Sequence, residues 1–271
     1  NISTYSGYGI KSTSTNNITI TGGTISGGTA GSIYAHDYGV YVENTDTNTT
    51  PTIAISGGSI SAGLGLYASN TTVNITGGEV SGRSDNSTYG GNRFINTTAT
   101  MTGGTLSGYT RIDANSTLNI SNSNATVANI TNLGALTMTA GTVNGTITNS
   151  ANATIENSSF VTSGKISNSG TITIDSVQFN VTGSSSGSII TNTGSTTITN
   201  TSMDVTSSSY AILSSSGTVT LKESTITTTG SYVIRVNGGT FTIEDVTATT
   251  TSSSTSSYGI YANAGTLTIP Y

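Results

Sequence analysis

The chain of 271 residues has no cysteine, no tryptophan, 2 prolines and 1 histidine. Without cysteine there is no disulfide framework, and the redox compartment is left open. Charged residues make up only 7% of the chain, with 7 Lys+Arg against 12 Asp+Glu and a formal net charge of −5. That balance excludes nucleic acid as a partner, which would require a basic stripe. So little charge also means that stability must come from apolar packing and hydrogen bonds and not from ion pairs. No apolar run approaches the roughly 20 residues that cross a membrane, and no charged-then-apolar leader is present.

What the chain does have is repetition. Ile18-Thr19-Ile20-Thr21-Gly22-Gly23-Thr24-Ile25-Ser26-Gly27 returns as Val73-Asn74-Ile75-Thr76-Gly77-Gly78-Glu79-Val80-Ser81-Gly82, and again from Ala99 to Gly108. A unit near 20 residues cannot bury its own apolar face, so copies must stack into a solenoid. Aligned on the second apolar residue, the repeats give a ladder of twelve anchors: Ile20, Ile55, Ile75, Met101, Ile120, Met138, Ile155, Ile174, Ile198, Leu221, Ile243 and Ile269. The anchors are unevenly spaced, as expected where insertions fall in surface turns.

A second apolar ladder stands two residues before the anchor and a third, including Ala125, five residues after it. Residues i and i−2 share one face of a strand, so both flank an outward residue that is mostly threonine. An earlier strand, about eight residues before the anchor, carries Ile112, Ile130, Ile147, Ile166, Ile190, Leu213 and Tyr261. Each coil therefore has three short strands. Six residues before the anchor stand Asn132, Asn149, Asn168, Asn192, Asn237 and Asn263, with Ser215 in the same series. Asparagine tolerates the left-handed conformation of tight turns, and its amide can link one coil to the next. In the N-terminal half this role falls one residue later, to Asn70, Asn96 and Asn115.

These residues resemble the right-handed parallel β-helix proteins of the pectin-lyase-like superfamily. More narrowly, the Thr/Asn/Gly/Ser phrasing is similar to repeats of bacterial and archaeal cell-surface adhesin-like proteins. The resemblance implies an all-β, right-handed parallel β-helix (β-solenoid) of about twelve coils, with three short strands per coil. The unbroken ladder leads to the expectation of a single elongated domain over residues 1–271. The expected setting is extracellular, at the cell surface, within a larger surface protein or filament of which the chain is a fragment or processed part. The expected role is that of a non-enzymatic structural rod in an adhesin, stalk or filament. The expected partners are further copies stacked head to tail, or a cell-surface or host glycan or protein.

Fold alone does not give function, so each candidate site is weighed by its residues. A carbohydrate-active enzyme or binding module is one alternative, but His36 stands alone beside Asp37, without the Gly-His-Gly or Asp-Asp dipeptides of the polygalacturonase-like branch. No cofactor is implied. Lysines and arginines share no common register. Glu156 and Asp175 follow the anchor on adjacent coils and could meet a cation, although two carboxylates supply too few oxygens for Ca²⁺. Of sixteen Asn-x-Ser/Thr sequons, Asn48, Asn86 and Asn144 fall in turns and suit glycosylation. Thr171, Thr173, Thr197, Thr218, Thr220, Thr240, Thr242, Thr266 and Thr268 form an outward Thr-x-Thr array. It resembles the flat threonine face of ice-binding β-solenoids. Tyrosines recur in phrases such as Tyr38-Gly39-Val40-Tyr41 and Tyr258-Gly259-Ile260-Tyr261, either capping a corner of the core or offering a surface to a sugar or a protein.

Overall fold

The computed structural model describes residues 1–28, 37–46, 48–83, 91–185, 187–207 and 210–270, with the side chains of residues 183–185 and 207 left aside. The described residues are all-β, without helix, and their parallel stacked strands form a β-solenoid of about 11 turns. The sequence ladder implies about twelve coils, and its twelfth anchor, Ile269, lies outside the paired strands. The chain falls into two compact units, Asn1–Gly141 and Thr142–Tyr271.

In the first unit, a typical coil runs through strands Tyr38–Glu43, Thr52–Ile55 and Ser59–Ala62, and the next through Leu64–Ser69, Thr72–Ile75 and Glu79–Ser81. The anchors pair in parallel register as Ile20, Ile55, Ile75, Met101 and Ile120. All are buried, with Met101 fully enclosed. Alternation makes this inevitable: Ile53 and Ile55 face in, while Thr52 and Ala54 face out. The turn after the anchor stacks glycine pairs. Gly58, Gly78 and Gly104 sit at φ of 85°, 81° and 82°, where a side chain would be strained. One inward position differs from the sequence reading. Leu106 pairs with Val127 and not with Ala125, which stands opposite Gly104.

In the second unit, strands such as Lys165–Asn168, Thr171–Asp175 and Gln178–Ser185 repeat the plan. Ile155, Ile174, Ile198, Leu221 and Ile243 stack in register, and so do Phe160, Phe179, Met203 and Ile226 one face on. The Phe160 and Phe179 rings stack at 4.5 Å. Ile269 lies beyond the strand Thr266–Thr268 and is 57% exposed, so it does not extend the buried anchor ladder.

The first strand differs from the sequence expectation at two positions. Ile190 pairs with Ile212, then Ile234 and Ile260, so Leu213 and Tyr261 stand on the outward face instead. The cause is a doubled inward pair: Ala211 with Ile212, and Val233 with Ile234, are each fully buried. Strict alternation predicts one inward residue there.

The asparagine series was also shorter than expected. Asn149, Asn168 and Asn192 are buried and in register. Asn149 Nδ2 donates to Asn168 Oδ1 at 2.8 Å, and Asn168 Nδ2 to Asn192 Oδ1 at 3.1 Å. Each also donates to the carbonyl two residues on, at Ala151, Gly170 and Gly194, closing its own turn. The next rungs of that column are Ser214, Val236 and Ala262, so Asn237 and Asn263 lie one residue outside it. There the turn is one residue longer, and glycines at positive φ, Gly217, Gly239 and Gly265, make it without an amide. Asn132, in the first unit, is buried against its own turn and accepts from the Gly134 backbone N–H.

The left-handed conformation belongs to other residues. In the first unit Asn70, Asn96 and Asn115 adopt it, each followed by a buried hydroxyl, Thr71, Thr97 or Ser116. Thr97 Oγ1 donates to the Ile95 carbonyl, and Ser116 Oγ accepts from the Thr97 N–H. In the second unit the same device sits after the anchor, at Asn157-Ser158, Asn200-Thr201 and Glu223-Ser224. The hydroxyl is thus the buried link, and the left-handed asparagines add links nearer the surface, as the sequence reading expects: Asn70 Nδ2 donates to the Asn44 carbonyl at 2.8 Å and Asn96 Nδ2 to Asn70 Oδ1 at 3.3 Å.

Candidate functional site

The outward face of the first strand carries a concentration of reactive chemistry that the sequence reading had dispersed. Six four-residue phrases share one pattern: Tyr8-Gly9-Ile10-Lys11, Tyr38-Gly39-Val40-Tyr41 and Leu64-Gly65-Leu66-Tyr67 in the first unit; Tyr210-Ala211-Ile212-Leu213, Tyr232-Val233-Ile234-Arg235 and Tyr258-Gly259-Ile260-Tyr261 in the second. The two middle residues turn inward, so the first and fourth side chains come to lie together on the outer face. Glycine at the first inward position is forced by space: a Cβ on Gly39 would stand 2.4 Å from Ile60 Cγ2 and 2.7 Å from the Gly65 carbonyl oxygen.

In the first unit this produces two parallel columns. Tyr8 and Tyr38 stack at 5.1 Å with planes 6° apart, and Tyr41 and Tyr67 at 4.6 Å with planes 7° apart. Between the columns the rings meet edge to face, Tyr38 with Tyr41 at 4.9 Å. The second column reads Lys11, Tyr41, Tyr67, Arg93, Arg111 in register. Lys11 Nζ lies 4.6 Å from the Tyr8 ring centre, a cation–π contact. Arg93 Nε and Arg111 Nε reach the two oxygens of Asp113 at 2.7 and 2.6 Å. Lys11, Arg93 and Arg111 therefore do share a register, contrary to the sequence reading. They stand nine, eight and nine residues before the anchors Ile20, Met101 and Ile120, a one-residue variation that hides the register in the sequence.

The second unit repeats the arrangement. Tyr210, Tyr232 and Tyr258 form one column and Leu213, Arg235 and Tyr261 the other. The Tyr232 and Tyr258 rings stack at 5.6 Å. Arg235 lies 5.1 Å from the Tyr210 ring centre, donates to the Tyr210 hydroxyl, and gives its Nε to Asn237 Oδ1 at 2.8 Å. Asn237 thus supports the arginine in place of a ladder. Partial burial raises the pKa of Tyr38, Tyr41 and Tyr67, and Tyr41 is raised further by donating to Glu43 at 2.6 Å. These phenols are therefore neutral hydrogen-bond donors throughout the physiological range.

The carboxylate pair does not assemble a cation site. Glu156 and Asp175 are neighbours in register, but both Asp175 oxygens are committed to protein donors: Thr199 Oγ1 at 2.5 Å, Asn200 Nδ2 at 3.0 Å and Ser176 Oγ at 3.1 Å. Those bonds hold its pKa below the usual carboxylate value. Among the described residues no three His, Asp or Glu side chains gather as metal ligands. Farther along the same column, Lys222 pairs with Glu244.

The threonines form a regular face. Thr171, Ser195, Thr218, Thr240 and Thr266 stack as one column, and Thr173, Thr197, Thr220, Thr242 and Thr268 as the other, without a break in register. Asn48 and Asn144 are exposed. Asn86 and His36 lie outside the described residues. Among the described residues no helix is long and apolar enough to cross a membrane. No protein-family model matches the chain, and no curated protein or solved structure matches it significantly.

Proposed function

We propose that the chain is a non-enzymatic, extracellular structural module of a cell-surface adhesin, stalk or filament, of the kind built from pectin-lyase-like parallel β-helix repeats. The observation that carries this reading is the fate of its polar groups. Asn149, Asn168, Asn192, Thr97, Ser116 and Asp175 each spend hydrogen bonds on a neighbouring coil. Polar groups committed between coils in this way build length and rigidity. The outer faces are then free to display contacts to further copies, or to a glycan or protein. Immunogold labelling of thin-sectioned cells with antibody to this chain is the test. Label on the cell exterior is the expected result, and label confined to the cytosol would refute the proposal.

A second reading, ice binding, is favoured by the threonine face of the second unit, whose two unbroken columns repeat at about 4.8 Å from coil to coil. A gap between melting and freezing temperatures in the presence of the protein, abolished by Thr220→Tyr, is its signature. Its absence at millimolar protein would end that reading.

A further inference from the structure

We propose that the stacked tyrosines of the first strands are oxidative coupling sites, at which a one-electron oxidant of the peroxidase class, with hydrogen peroxide, joins neighbouring coils through a carbon–carbon bond between phenol rings. The proposal rests on the reading of the chain as a structural module and names a covalent modification that would reinforce it. Composition and burial together leave an oxidant little else to attack. The chain has no cysteine and no tryptophan, and all 3 methionines and all 4 phenylalanines are buried in the core. Tyrosine is thus the aromatic residue of the outer face, and most of the 13 stand in these columns.

Register brings the phenols into reach of one another, because parallel pairing holds equivalent side chains about 4.8 Å apart. The Tyr41 and Tyr67 rings lie 4.6 Å apart with planes 7° from parallel, and the Tyr232 and Tyr258 rings 5.6 Å apart at 13°. All four side chains are half-buried or exposed, which leaves room to turn edge to edge about their soft Cβ–Cγ bonds. Holding both partners at contact distance replaces a chance encounter of two radicals by a local step. Neighbouring charges then choose among the pairs. A cation on a ring face opposes loss of an electron from that ring. Lys11 Nζ lies 4.6 Å from the Tyr8 ring centre and 5.8 Å from that of Tyr41, and Arg235 lies over Tyr210 and Tyr261. Tyr41 with Tyr67, and Tyr232 with Tyr258, are therefore the pairs that give up electrons most readily. Oxidation of a phenol also releases its proton, and the Tyr41 hydroxyl already donates to Glu43 Oε2 at 2.6 Å, a carboxylate placed to take it. Each tyrosine of a pair gives one electron to the oxidant and its phenolic proton to a base, Glu43 for Tyr41 and solvent for Tyr67. The two phenoxyl radicals bond through ortho ring carbons, and the hydrogens on those carbons move to the phenolic oxygens, restoring both aromatic rings. The two electrons and two protons released reduce one hydrogen peroxide to two waters.

Treating the purified chain with a haem peroxidase and hydrogen peroxide tests this. In dilute solution the expected product is a monomer with dityrosine fluorescence, lighter by two hydrogens for each link. Cleavage after Glu43 and after Arg235 separates the members of each pair. Mass spectrometry of the denatured, digested product should therefore find a peptide holding Tyr41 joined to one holding Tyr67, and Tyr232 likewise joined to Tyr258. Tyr67→Phe/Tyr258→Phe keeps both stacks, removes one phenol from each pair and should lose both joined peptides. Tyr5→Phe, at a ring 88% exposed and outside the columns, should retain them. The oxidised parent should melt above the untreated chain, because a link between coils restricts the unfolded state as a disulfide does, and the oxidised double variant should show no such rise. Digests without the joined peptides, joined peptides that persist in the double variant, or links found only between chains would each overturn the proposal. Cytosolic immunogold label would remove the surface reading alone, and the digest would still decide the coupling.

Discussion

Replacing Asn168 by alanine tests the ladder at its most connected rung. Asn168 is 2% exposed; its amide nitrogen lies within hydrogen-bonding distance of the Gly170 and Ser195 carbonyls, Asn192 Oδ1 and Thr196 Oγ1, and its oxygen accepts from Asn149. The nitrogen has two hydrogens, so about three bonds are lost in all. At roughly 1 kcal/mol each, with buried acceptors left unsatisfied, the expected loss is about 2 to 4 kcal/mol. The second unit spans 130 residues, Thr142 to Tyr271. For a unit of that size the change lowers the melting temperature by on the order of 10 °C. Asn237→Ala removes only an acceptor for Arg235 Nε on a half-exposed side chain, and should cost less than about 1 kcal/mol. Differential scanning calorimetry of both variants is the assay, with amide hydrogen exchange at residues 149–196 to localise the loosening. Equal melting temperatures, or unchanged exchange around Asn168→Ala, would show that these amides are spectators.

Ile174→Asp places an unpaired charge at a fully buried anchor and should unfold its unit, whereas Thr173→Asp on the outward side should be mild; equal thermal losses would refute the assigned facing. Gly39→Ala should destabilise the first unit by about 1 to 3 kcal/mol, because the new methyl meets Ile60 and the Gly65 carbonyl; denaturant titration checks this, and a neutral result would refute the doubled inward turn. Asp175 has a lowered folded-state pKa, so the stability it supplies is fully present above about pH 4 and is lost as pH falls through the lowered value. Asp175→Asn should therefore flatten the acid limb of a melting-temperature profile, and an unchanged limb would refute its role.

The sequence made the solenoid legible because anchors such as Ile55, Ile75 and Ile174 keep a period of two with Ile53, Val73 and Ile172, around an outward Ala54, Asn74 or Thr173. Counting backwards from them worked through Asn192, where a three-residue step leads from the ladder to the next strand. It failed after Ser214, where the step grows to four and Gly217 replaces amide closure. Leu213 and Tyr261 were misplaced for a related reason: Ala211 and Ile212 both point inward, and no alternation rule contains such a pair. The aromatic columns were present in the composition but not in register, since insertions before the anchor separate Lys11, Tyr41 and Arg93 by unequal distances. A search for Tyr-x-aliphatic followed by Tyr, Lys or Arg would have found four of the six rungs. Asp175 drew attention as a carboxylate, and only its three donors reveal it as a clasp between coils.

The lengthened corner after Ser214 has a bearing on how such a chain changes over generations. Between Asn192 and Ser195 the step is three residues, and between Ser214 and Thr218 it is four, yet Ile198 and Leu221 still meet in register. A codon gained at that corner is absorbed locally, provided a glycine is at hand to take the left-handed turn. The same codon gained within Thr218–Lys222 would swing Val219 and Leu221 outward. Unequal recombination that copies or deletes one whole coil, with both its breakpoints in a corner, leaves every inward side chain facing inward. Coil number is therefore a quantity that genomes can vary in single steps, while the strands themselves accept almost no length change at all.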